Sequence, residues 1–437
     1  MPLTLSVQSF PPFEANDVIS SVTQAWGANA YPTSMSADGR YLAFRTSEAL
    51  PGDTDTFYDV YRVDLTTGAL VRISAAADGT GGNSNSTAAQ LSADGRYAVF
   101  VSGATNLGTD GPASQDVFWK DLETGEVRLV SSAQWVGGNA ASSAPQISPD
   151  GRYVLFESAA SNLVPDDTET IDIFLKDMVT NAIVRVSTSA TGVGGDDESR
   201  HAHFTADGRF VIFESRATNL VTEDTNGQRD IFLKDLATGA ITRVSTDANG
   251  GQLDGVGWEP RISADGHYAF FTHNQGGGTG QIYRKTLTGP NAGELVPVSV
   301  NADGQQGGGT SLVTSISADG RYVMFWSSAD NLVPGDTGGE DLFLKDMQTG
   351  DITRLTVTAD GSETAGPEDD HPWGTISADG RHVVLSSSFP LVPGDADGRS
   401  DIFLIDTAYL PYREAISQGR YVEATLAVGA ASQVRIA

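Results

Sequence analysis

A short phrase, Ser-Ala-Asp-Gly-Arg-Tyr followed by apolar residues, recurs along the chain with its aspartate at Asp38, Asp94, Asp150, Asp207, Asp265, Asp319 and Asp379. Seven copies at a spacing of about 57 residues mean seven like units, and this constrains the fold more than any composition does. In each copy a β-prone segment such as 33–36 meets an Asp-Gly turn and leaves as an alternating segment such as 40–45, the pattern of a hairpin. A loop follows, then a third alternating segment: Asp59-Val-Tyr-Arg-Val-Asp, Asp172-Ile-Phe-Leu-Lys-Asp, Asp230-Ile-Phe-Leu-Lys-Asp, Asp341-Leu-Phe-Leu-Lys-Asp, Asp401-Ile-Phe-Leu-Ile-Asp. A Thr-Gly turn (Thr67-Gly68, Thr124-Gly125, Thr238-Gly239, Thr349-Gly350) leads to a fourth segment such as 242–245. A four-stranded sheet cannot bury both its faces alone, and radial stacking of like sheets solves that problem.

The pattern therefore predicts an all-β chain, a seven-bladed β-propeller of four-stranded antiparallel blades over residues 17–407. The last copy ends after its third strand, while 17–23 reads as an unpaired fourth strand. An N-terminal strand completing the last blade is thus expected to close the ring. Residues 1–16 form an N-terminal extension. The tail 408–437, with a degenerate echo of the phrase at 417–421, is an extra strand or the start of a following domain.

The 437 residues include 56 acidic and 27 basic side chains, a formal charge of −29. Such a charge repels phosphate backbones and anionic lipid, so nucleic acid is excluded as a partner. With no cysteine, thiol catalysis, disulfides and thiolate metal sites are excluded as well. The N-terminal residues do not read as a secretory signal, no stretch is apolar enough for membrane insertion, and a monomer is expected.

The hairpins followed by Asp-Ile-Phe-Leu-Lys-Asp resemble the WD-like propeller repeats of the TolB type, over roughly residues 17–406. The resemblance implies the fold. It leaves function open, because that family includes peptide-binding scaffolds, propellers attached to peptidases, and surface proteins. The lack of cysteine with abundant glycine and aspartate resembles exported bacterial proteins, which implies an extracellular or cell-surface location.

Both long loops of each blade, between second and third strands and between blades, fall on one face, where binding is expected. Three features stand out. Carboxylates precede the third strand at a recurring spacing: Asp53, Asp55 and Asp59; Asp224, Asn226 and Asp230; Asp395, Asp397 and Asp401; with shorter versions at Asp167 and Asp172 and at Asp336 and Asp341. Alternating carboxylates around a turn can surround calcium with oxygens, and they repel one another unless something screens them. The other reading of these residues is Asx-turns and caps with no ion.

The second feature lies on the inner strands. The positions four and six before each turn aspartate hold His203 and His201 in the fourth unit and Arg261 and Glu259 in the fifth. Read as one alternation, all four face the central channel, where they could bind a transition metal or act as acid and base. A hydrogen-bonded channel lining is the other reading. The third feature is tryptophan: Trp26, Trp135, Trp258 and Trp373 fall in or beside connections between blades. They either stack on a carbohydrate or protein ligand or wedge between blades.

Arg40 and its equivalents after each turn, and Asp64 and its equivalents ending the third strands, read as paired scaffold charges. No nucleophile elbow, P-loop or strong zinc motif occurs. The expected function is a non-catalytic binding or structural propeller with a protein or carbohydrate ligand on the loop-rich face. The alternative is an enzyme acting on a polysaccharide or peptide in the channel.

Overall fold

The computed structural model describes residues 30–50, 53, 55–108, 115–275, 278–357, 374–388, 391 and 398–407. They form antiparallel sheets with strands in sequence order, and no helix occurs among them. Six blades have four strands, and the seventh has three among the described residues, Gly374–Ile376, His382–Ser387 and Asp401–Asp406. Inner strands run Ala30–Met35, Ser86–Leu91, Ser142–Ile147, Ser199–Phe204, Val256–Ile262, Ser311–Ile316 and Gly374–Ile376. The expected closing strand at 17–23, the extension 1–16 and the tail 408–437 lie outside the described residues.

Apolar residues gather between the sheets, one cluster at each of the seven junctions. Val99, Val101 and Trp119 of blade 2 meet Val154, Phe156 and Phe174 of blade 3, for example. The cluster that matters for closure joins Leu42, Phe44 and Tyr61 of blade 1 to Val384 and Ile402 of blade 7. There the Ala30 amide also donates to the Ser400 carbonyl at 3.0 Å. The ring is closed by burial between like faces, the solution that the repeat demands.

The Asp-Gly turns are built by side chains. Ser36 donates to Asp38 at 2.6 Å while the Arg40 amide donates to the same carboxylate oxygen at 3.0 Å, and each of the seven turns repeats this pair of bonds. Neighbouring turns bond in series: Ala37 to Ala93, Ala93 to Pro149, then Ala206 to Ala264, Ala264 to Ala318 and Ala318 to Ala378. The series breaks at Pro149, which has no N–H to pass on.

On the opposite face, connections between blades are tied to the loops after the second strands. Asn106 donates its side-chain amide to the Gly81 carbonyl at 2.8 Å, and Asn162, Asn219 and Asn331 make the same bond in blades 3, 4 and 6. Buried lysines of the third strands reach back to the preceding connection: Lys120 to Ala75 at 2.6 Å, Lys176 to Ser132 at 2.6 Å and Lys234 to Thr188 at 2.8 Å. Burial draws the ammonium groups of Lys120 and Lys176 down to about 8.

Candidate functional site

The repeating charges behave as scaffold. Arg40 pairs with Asp64 at 2.7 Å, and Arg96–Asp121, Arg152–Asp177, Arg209–Asp235 and Arg321–Asp346 repeat it within 2.7 to 2.8 Å. Blade 5 departs: His267 stands in the arginine's place, with Nδ1 2.6 Å from the Thr288 hydroxyl oxygen.

The acidic loops already have a counter-charge, and sequence reading missed it. Arg72 of the outer strand Leu70–Arg72 pairs with Asp59 and lies 3.4 Å from Asp53 and 3.7 Å from Asp55. Arg185 sits 2.9 Å from Asp167 and 3.4 Å from Asp172; Arg354 sits 3.5 Å from Asp336 and 3.7 Å from Asp341. In blade 4, Arg243 stands off at 3.8 and 3.9 Å while the Gln252 amide donates to Asp224 at 3.0 Å and to Asp230 at 2.8 Å. The hydroxyls of Ser74, Ser187, Ser245 and Thr356, each two residues beyond its outer strand, donate to the strand-opening aspartates from the other side. Burial nevertheless raises Asp59 and Asp230, and lifts Asp172 to about 6. Asx-type bonds occur too: Asp53 accepts from the Asp55 amide at 3.2 Å and Asn226 from the Gln228 amide at 2.9 Å. Asp401 is buried, whereas Asp395 and Asp397 lie outside the described residues. A signal was present in the sequence: arginine ends the outer strands of blades 1, 3, 4 and 6, as Arg72, Arg185, Arg243 and Arg354.

The inner strands surround a channel cavity of about 640 Å³. His203, Glu259 and Arg261 line it, with Gln90, Gln146 and Thr375 from other blades. His201 and His203 do not form the simple alternation expected. The pairing register slips between Arg200 and His203, and His201 takes a φ of 52°. This bulge turns His201 away from the wall and towards two carboxylates, with Nδ1 3.2 Å from Glu214 and Nε2 3.5 Å from Glu259. Ala88, Ala144 and Glu259 occupy the equivalent left-handed position in their blades.

Glu157 and Glu214, fifth residues of the second strands Tyr153–Ser158 and Phe210–Ser215, hold these bulges and were not singled out from sequence. Each is buried and accepts the bulge amide of the following blade: His201 N to Glu157 at 2.7 Å, Glu259 N to Glu214 at 2.8 Å. Arg229 lies 3.0 Å from both Glu214 and Glu198, and Arg261 lies 3.6 Å from Glu259. Burial opposes a charge on His201, but Glu214, Glu259 and Glu157 outweigh it and raise its pKa. Burial, with Arg261 and His201 nearby, pushes His203 well below the usual range, so it faces the channel as a neutral imidazole.

The tryptophans divide. Trp135 is 72% exposed at the tip of the hairpin Ser132–Ala133/Val136–Gly137, with φ of 49° and 68° at Gln134 and Trp135. Trp258 is half-buried beside Gly280, where an added Cβ would come within 2.8 Å of the indole, so it packs inside blade 5. Trp26 and Trp373 lie outside the described residues.

No family model matches the chain, and no curated protein matches it. Solved structures similar to it include TolB proteins and other β-propellers. An oligogalacturonate lyase from Vibrio parahaemolyticus has a TM-score of 0.50 at 15% identity, covering 86% of this chain and 89% of that one. The β-propeller domain of the Trilobed protease from Pyrococcus furiosus has 0.51 at 13% identity, covering 86% and 96%. TolB from Acinetobacter baumannii has 0.42 at 18% identity, covering 84% and 80%. At these identities the likeness is one of fold.

Proposed function

We propose that this seven-bladed propeller is a non-catalytic binding domain whose ligand, a peptide or carbohydrate segment, occupies the central channel from the loop-rich face. The observation that carries the reading is the state of the charged cluster of blades 3 to 5. Glu157 and Glu214 are bound to bulge amides, and His201 and Arg229 are both held against Glu214. Groups engaged in this way brace a wall, while a cavity of about 640 Å³ has the size of small-ligand sites. Trp135 supplies a second exposed contact on a connection between blades. The extracellular or cell-surface location belongs to the same reading and rests on the resemblance in composition to exported bacterial proteins.

Calcium is proposed for the blade 1 loop, where one guanidinium faces three carboxylates whose oxygens lie within 4.8 Å of one another. Equal melting midpoints in calcium and in chelator would remove it.

The binding reading is tested by probing peptide and glycan arrays with wild type and with Gln146→Trp, which fills the channel, then recovering bound ligand for mass spectrometry. Intact ligand, lost in the variant, is expected. Recovery of a cleaved or eliminated product would instead support the enzyme reading. That alternative has one specific observation in its favour, an imidazole at His201 placed between two carboxylates.

A further inference from the structure

In blades 1, 3 and 4 the fifth position of the second strand lies beside the inner strands that surround the channel, and its occupants differ in charge. In blades 3 and 4 it holds Glu157 and Glu214, both bound to backbone amides and cations. In blade 1 it holds Arg45, which lines the channel cavity. The Arg45 guanidinium has neither an ion pair nor a hydrogen bond among the described residues. It lies instead over two rings, 5.1 Å from the centroid of Tyr31 and 5.5 Å from that of Tyr58.

Contact with two tyrosine rings stabilises the cation and restricts its position while leaving its N–H donors uncommitted. Such donors match a planar carboxylate, which can accept two parallel bonds. Charge sets the stoichiometry. The protein carries −29, and the other channel arginine, Arg261, is already close to Glu259. One uncommitted guanidinium balances one negative charge, so a monoanion is favoured over a phosphate dianion. Around it the wall supplies the uncharged side chains of Gln90, Gln146, Thr375 and neutral His203, suited to amides or hydroxyls.

We infer that Arg45, in contact with Tyr31 and Tyr58, recognises a single carboxylate on an otherwise uncharged, polar ligand in the channel. The inference rests on the binding reading and names the chemical class of its ligand. A carboxylate of this kind could end a peptide or sit on a sugar, and the probes separate these sources.

The test follows melting midpoints at fixed ionic strength with N-acetyl-trialanine and its C-terminal amide, and with glucuronate and glucose. Inorganic phosphate and chloride serve as anion controls. At least one carboxylate probe is expected to raise the wild-type midpoint saturably, with its neutral counterpart and chloride inert. Arg45→Gln should abolish the shift. Arg45→Lys, which keeps the charge but not the planar fork, should weaken the apparent affinity at least tenfold, and it serves if Arg45→Gln folds poorly.

Equal shifts with acid and neutral partner would overturn the carboxylate and leave channel binding standing. A shift retained in Arg45→Gln, a larger shift with phosphate, or no shift with any of the four organic probes would each overturn the inference. Intact ligand recovered from the arrays would still support the binding reading.

Discussion

At the scale of single residues, the turn glycines and His201 carry the most testable consequences. Gly95 has a φ of 70°, and a Cβ there would come within 2.4 Å of the Tyr41 ring of the previous blade. The residue is fixed both by its backbone and by the neighbour it admits. Gly95→Ala should cost about 1 to 3 kcal/mol from strain, plus displacement of Tyr41, measured by chemical denaturation. An unchanged midpoint would contradict the packing described. For His201 the sign follows from its raised pKa: its contribution is present below the unfolded value of about 6.5 and is lost as pH rises through the folded one. The stability gap between wild type and His201→Gln should therefore be widest in mild acid and narrow towards alkaline pH. A gap independent of pH would mean that the surrounding carboxylates do not hold a proton on the ring.

At the scale of strands and loops, the outer-strand arginines decide how the acidic loops stay folded. Asp167 and Asp172 are almost fully buried beside Arg185. Arg185→Met strands both carboxylates and should cost about 3 to 5 kcal/mol, whereas adding Asp167→Asn and Asp172→Asn should restore much of it. A cost below about 1 kcal/mol for the single variant would show that the loop does not depend on this pair. The sequence made these loops visible, because carboxylates at a fixed spacing need only local order to be noticed. Their partner was hidden because Arg185 is contributed by the next strand, 13 residues after Asp172, and only strand pairing brings them together. The bulges were hidden for a related reason. An alternating pattern places His201 and His203 on one side, and no local residue announces that Glu157, 44 positions earlier, accepts the His201 amide. Blade 5 shows the same rule by exception. Gln281 replaces the strand-opening aspartate, accepts from Ser299 at 2.8 Å, and donates to the carbonyls of Gly307 and Gly309. That blade dispenses with the ion pairs and satisfies its loops with neutral bonds.

At the scale of the whole molecule, the seven-fold repeat was legible because each unit carries its own turn and strand signals, and their number alone implies a ring. The channel was legible only as a set of inner-strand positions; its asymmetry, with braced carboxylates on one side and Arg45 on the other, arises from contacts between blades. All of this depends on blade 7 packing against blade 1 around a closed axis. Hydrogen exchange on the intact protein tests that junction most directly, because the Ala30 amide is bonded to Ser400 across it. The ring predicts that amides of 30–35 and 401–406 exchange as slowly as those of 86–91, in the interior of the ring. Rapid exchange at both 30–35 and 401–406, with 86–91 still protected, would contradict a closed ring and with it the channel.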